Sequence, residues 1–92
     1  MDGISIRIKR VGRDLETYVV KPRNIVEFEQ KFGKGLNDLL IKEQRLDQLY
    51  WLAHNVLKHQ SGEVMKPYGN EWVDELEGAE VFDTPLESAE KV

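Results

Sequence analysis

Cysteine is absent from the 92 residues, which excludes disulfide staples, thiolate metal sites and thiol catalysis and fits a reducing compartment. No apolar run approaches the roughly 20 residues that span a bilayer, and Met1-Asp2-Gly3 lacks the basic and apolar regions of a secretion signal. The expectation is a soluble, intracellular protein. Catalytic signatures are missing as well. There is no His-Glu-x-x-His, no Gly-x-Ser-x-Gly and no complete phosphate loop, because Gly33-Lys34-Gly35 lacks the first glycine at the required spacing and a hydroxyl residue after the lysine. His54 and His59 lie five apart and point in different directions, so they are not an i, i+4 zinc pair and are expected to be solvated or hydrogen-bonded. The carboxylates are spread as on solvated helix faces. These absences argue against an enzyme, a metal site and a cofactor.

What the chain does have is unevenly placed charge within a net of −4. Up to residue 34, Arg7, Lys9, Arg10, Arg13, Lys21, Arg23, Lys31 and Lys34 outnumber the acids; from Glu71 onward Glu71, Asp74, Glu75, Glu77, Glu80, Asp83, Glu87 and Glu90 face only Lys91. Such asymmetry marks a nucleic-acid arm, an acidic interaction tail, or two ends that attract one another or are simply solvated, and the last is favoured. A recognition helix needs Arg and Lys clustered on one face, which neither the 24–32 segment nor its successor provides. Neither nucleic acid nor membrane is expected as a partner. A chain of this length makes one domain, expected over 1–83, with a small core.

Ile4-Ser5-Ile6-Arg7-Ile8-Lys9-Arg10 alternates apolar and polar as a half-buried strand does. Gly12 supplies a turn, and Leu15-Glu16-Thr17-Tyr18-Val19-Val20 is again rich in strand formers, so a hairpin is expected over 4–20. A lone hairpin is barely stable and must pack on a helix. Arg7, Lys9 and Arg13 would face solvent as guards against edge pairing. Pro22 ends the strand. Asn24 reads as an N-cap with Glu27 three residues on, and Ile25, Phe28 and Phe32 give a core stripe for a helix over 25–32 that Gly33 stops. A short helix over 36–41 leads to a central helix over 43–60 that Ser61-Gly62 ends. Glu63-Val64-Met65-Lys66-Pro67-Tyr68-Gly69 is loop. Asn70 caps a last helix over 71–77, with Glu71, Asp74 and Glu75 in its favourable first turn, and 84–92 is an acidic tail expected to be flexible. The fold class is α+β: a β-hairpin packed on a small helical domain with one long central helix and a short C-terminal helix.

In the central helix, Leu46, Leu49, Tyr50, Ala53, Val56 and Leu57 share one arc at about 100° per residue, with Leu52 just beyond its edge. Trp51 falls on the far side with Asp47, Asn55 and Lys58. One account has the Trp72, Val73 and Leu76 face, with Val81 and Phe82, cross over and cover it. The other leaves Trp51 partly exposed as a docking surface, since apolar clusters on small proteins mark interaction sites.

A hairpin leading to Lys21-Pro22-Arg23-Asn24-Ile25-Val26-Glu27-Phe28-Glu29-Gln30-Lys31-Phe32-Gly33, then Leu49-Tyr50-Trp51-Leu52-Ala53-His54, then Glu71-Trp72-Val73-Asp74-Glu75-Leu76, resembles the tail assembly chaperones of long-tailed bacteriophages. In that family a Phe-Glu-x-x-Phe-Gly element, a Trp-Leu-Ala helix and a late Trp-x-Asp/Glu segment recur in this order. The resemblance implies a non-enzymatic viral or prophage protein of the host cytoplasm. It would bind the tape measure protein, help recruit tail tube protein subunits to it, and be absent from the mature virion. It also implies a longer form made by translational frameshift near the end of the reading frame. Trp51, Leu52, Trp72 and Phe82 are the candidate partner-binding residues, and self-association into a homo-oligomer stays open. A structural head–tail or tail component, or a small acidic regulatory module that binds a basic protein, are the alternatives.

Overall fold

The alternation at the start of the chain forms β1 (Asp2–Arg10), whose inward positions Ile6 and Ile8 are fully buried. A computed structural model of the protein describes residues 2–33, 35–36 and 46–85. β2 (Glu16–Val19) pairs antiparallel with β1, placing Tyr18 opposite Ile6 and Glu16 opposite Ile8. Leu15, expected in this strand, lies just before it and is exposed.

α1 (Pro22–Phe32) starts three residues earlier than the sequence suggested. Proline suits the first helical position, where its missing N–H is not needed. Asn24 is therefore not the cap residue. Lys21 is, and the Asn24 side-chain oxygen at N3 reaches back to accept the Lys21 backbone N–H at 3.0 Å, as the N3 residue of a capping box does. Gly33 ends the helix as expected: it adopts φ 71°, and its N–H donates to the Glu29 carbonyl. The short helix expected over 36–41 falls outside the described residues beyond Leu36, which is buried. α2 (Leu46–Gln60) is the central helix, and Gly62 at φ 77° follows its end. Its expected first residues, 43–45, lie outside those described.

The C-terminal part departs most from expectation. The helix expected over 71–77 is a single turn, α3 (Asn70–Val73), and Leu76 begins a ten-residue strand, β3 (Leu76–Pro85). β3 pairs antiparallel with β1 along its whole length, from Asp2 opposite Pro85 to Lys9 opposite Gly78, with a register shift before Arg10 opposite Leu76. The sheet order is β2-β1-β3, so the expected hairpin is two thirds of a three-stranded antiparallel sheet and β1 is its centre. Ladder hydrogen bonds to β1 and the packing of Leu76, Ala79 and Val81 against the core outweigh the local helix preference of Glu-rich 74–77. Thr84 and Pro85, assigned by sequence to the tail, end this strand, and 86–92 lie outside the described residues. The α+β class holds, with one long helix and one short one.

The core gathers Ile6, Ile8 and Val20 from the sheet side, Phe28 from α1, Leu49, Leu52, Ala53, Val56 and Leu57 from α2, and Trp72 from α3. α2 contacts both α1 and β3 and is enclosed over most of its circumference, which is why Leu52, His54 and Asn55 are buried beside the expected apolar arc. Leu46, assigned to that arc, is the first residue of α2 and is 60% exposed.

Candidate functional site

Phe28 and Phe32 are one helical turn apart on α1 and so face α2 together. Their ring centroids lie 4.7 Å apart, and Trp51 of α2 meets Phe32 edge-on at 5.5 Å and Phe28 at 6.1 Å. Phe28 is fully buried at the base; Phe32 and Trp51 are partly buried at the rim. Edge-to-face aromatic pairs contribute about 0.5 to 1.5 kcal/mol each beyond the area they bury. The residue that was to face away from the core thus belongs to an aromatic cluster between the helices.

The four candidate binding residues do not form one patch. Among the described residues, Trp51 is covered by Phe28 and Phe32 of α1. Leu52 is fully enclosed in the core, and Trp72 is 2% exposed, seated edge-on against His54 at 4.9 Å and beside Tyr68 at 6.1 Å. The segment expected to cross over Trp51 is committed elsewhere: Trp72 fills the pocket made by His54 and Tyr68, and the residues after it run along β1 as a strand. Phe82 is partly buried on the outward face of the sheet, with the Arg7 guanidinium 4.6 Å above its ring.

Beside the aromatic cluster runs a polar seam that sequence reasoning missed. Asn24, 1% exposed, donates its amide N–H to the Asn55 side-chain oxygen at 2.7 Å, and Asn55 donates in turn to a Glu27 carboxylate oxygen at 2.7 Å. Glu27 also takes a hydrogen bond from Arg23 and contacts His59 Nε2 at 3.0 Å. The Asn55 hydrogen bond, then those of Arg23 and His59, hold the Glu27 carboxyl down at about 2. Gln60 donates to both the Val19 carbonyl and Asn24, so the seam also ties α2 to β2. It opens on a cavity of about 320 Å³ lined by Lys21, Arg23, Asn24, His59 and Gln60. Asn55 was placed on the outward side because nothing in one sequence pairs two asparagines 31 residues apart.

A second buried cluster centres on Arg10, 4% exposed at the end of β1. Its guanidinium donates to Glu16 at 2.7 Å and Glu63 at 3.0 Å; Arg13 also reaches Glu63, and the Tyr18 hydroxyl donates to Glu16. Burial opposes the Arg10 charge, but the hydrogen bonds to Glu63 and Glu16 outweigh it and the net direction is upward. Burial first and the Glu16 hydrogen bond second push the Tyr18 hydroxyl up to about 12. These are satisfied structural groups that close the gap between the hairpin and the loop after α2.

No family model matches this chain, and neither a curated protein nor a solved structure does. Among the described residues there is no group of three or more His, Asp or Glu placed to hold a metal ion, and no helix is long and apolar enough to cross a membrane. His54 Nε2 lies 2.7 Å from the Lys66 carbonyl and His59 contacts Glu27, so both histidines are engaged in hydrogen bonding.

Proposed function

We propose that this protein is a tail assembly chaperone of a long-tailed bacteriophage. It acts by binding, without catalysing a reaction: it holds the tape measure protein in the host cytoplasm, helps recruit tail tube subunits, and is left out of the finished virion. The observation that supports this reading is the aromatic cluster. Phe28, Phe32 and Trp51, three of the residues that carry the family resemblance, pack on one another with the two outer rings only partly buried. A rim of this kind suits the apolar stripe of a helical client, while the acidic C-terminal half of the chain opposes self-aggregation. Trp51 and Phe32 are the contact residues in this proposal. Leu52 and Trp72 serve the core that holds them in place. A longer frameshifted product belongs to the same proposal.

Co-expression with the tape measure protein tests it. The client is expected to stay soluble with this chain, to precipitate without it, and to lose most of that protection with Trp51→Ala provided the variant still melts cooperatively. Equal precipitation with and without the chain overturns the reading. Mass spectrometry of purified virions separates a chaperone, which is absent, from a structural tail component, which is present in stoichiometric amount.

A further inference from the structure

We propose that the outer edge of β3, over residues 76–82, receives an extended segment of a partner protein whose side chains alternate between apolar and basic. β3 is hydrogen-bonded to β1 along one edge, and among the described residues no strand lies along the other. An open strand edge presents a row of N–H and C=O groups that template a further strand. Proteins guard such edges with brevity, proline, charged side chains or a bulge. β2, the opposite edge, has brevity, at four residues. From Leu76 to Phe82 there is no proline, the one register shift sits at the strand's beginning, and the charged guards, Glu77 and Glu80, are both acidic, which repels acidic strands and admits basic ones.

The cross-strand neighbours specify the occupant. On the outward face Arg7 of β1 bonds to Glu80 and Lys9 bonds to Glu77, so the charge alternates in sign from β1 to β3. The Glu80 and Glu77 side chains remain 61% and 49% exposed. A further strand that sets Arg or Lys beside them continues the alternation, and one that sets acids there is repelled. On the inward face Ala79 and Val81, opposite Ile8 and Ile6, are partly buried and leave an apolar flank for small or β-branched residues. The complementary pattern is the one that β1 itself carries, Ile6-Arg7-Ile8-Lys9. Pairing with β3 of a second copy is disfavoured at this edge. Antiparallel self-pairing about Glu80 opposes Glu80 with Glu80, and residues 71–83 contain no Lys, Arg or His to offset it. The inference rests on the sheet alone and stands apart from the chaperone reading, whose contact residues are on α1 and α2.

The test uses the full chain and a blocked synthetic peptide, Val-Arg-Val-Lys-Val-Arg-Val-Lys, read by amide hydrogen exchange. Alternate amides between residues 76 and 82 are expected to slow by at least about tenfold on saturation, as new ladder bonds require. Glu80→Gln, which removes the charge and keeps the shape, is expected to weaken the peptide by about two- to fivefold while the chain still melts cooperatively, and a Val-Glu repeat is expected not to bind. Three results overturn the proposal: no slowing on β3, equal slowing with a scrambled peptide of the same composition, or slowing without peptide that grows with protein concentration.

Discussion

Glu27 joins the two helices through a carboxylate that accepts from Asn55 and Arg23 and touches His59. Its folded value of about 2 lies below the ordinary 4.5, so it contributes stability that is present above pH 4.5 and lost as the pH falls from there through 2. Glu27→Gln is expected to flatten this acid limb and, after allowance for screening at a group one third exposed, to cost on the order of 1 to 2 kcal/mol near neutral pH. Denaturant midpoints across that window check it; an unchanged slope would show that Glu27 is not what the acid limb titrates. The two tryptophans make a second contrast. Trp72→Ala, which empties a sealed core site, is expected to cost about 3 to 5 kcal/mol, and Trp51→Ala, at a half-open rim, about 1 to 2 kcal/mol. Equal losses in parallel denaturant titrations would mean that Trp51 is as enclosed as Trp72.

At the scale of elements, Arg10 shows how a strand's phase overrides residue type. It follows Ile4, Ile6 and Ile8 in the inward series of β1, so its long side chain is carried under the sheet, where only the two carboxylates of Glu16 and Glu63 make a charge tolerable. Arg10→Met is expected to cost about 3 kcal/mol, because it leaves Glu16 without a cation and Glu63 with Arg13 alone. Unfolding curves of the variant measure this, and a change under about 0.5 kcal/mol would mean the cluster is no more than surface pairing. The same phase argument made the strand character of β1 legible from alternation alone. β3 was not legible in that way. Its outward positions hold Gly78, Glu80 and Phe82 and its inward ones Ala79 and Val81, a weak alternation within an acidic stretch that local preference reads as helix.

For the molecule as a whole, the decisive fact is that β1 is the middle strand and its second partner arrives at the far end of the chain. Arg7 and Lys9, read as guards of an exposed edge, instead pair with Glu80 and Glu77 across a strand interface, and the basic start and acidic end of the sequence attract one another there. A chain ending at residue 75 lacks β3 and opens one side of the sheet over Ile6 and Ile8. It is expected to show no cooperative thermal transition, whereas the full chain does, by circular dichroism; a cooperative melt of the truncated chain would show that the hairpin and helices fold without β3. Pairing over so long a sequence separation also predicts folding on the slower, millisecond-to-second scale of non-local topologies.

Local sequence signals suffice for the α+β class, for the first strand and the hairpin, and for the ends of α1 at Gly33 and of α2 after Gln60. These depend on local periodicity and on caps, which act over a few residues. The sequence also marked Phe28, Phe32 and Trp51 without showing that they touch. Tertiary structure alone decided three things: that Trp51 leans on α1 while Trp72 takes the core, that Asn24 and Asn55 meet in a buried seam, and that 76–85 is a strand. Each depends on which surface lies opposite in space, and a free-energy gain that comes from a partner tens of residues away leaves no periodic trace in either segment.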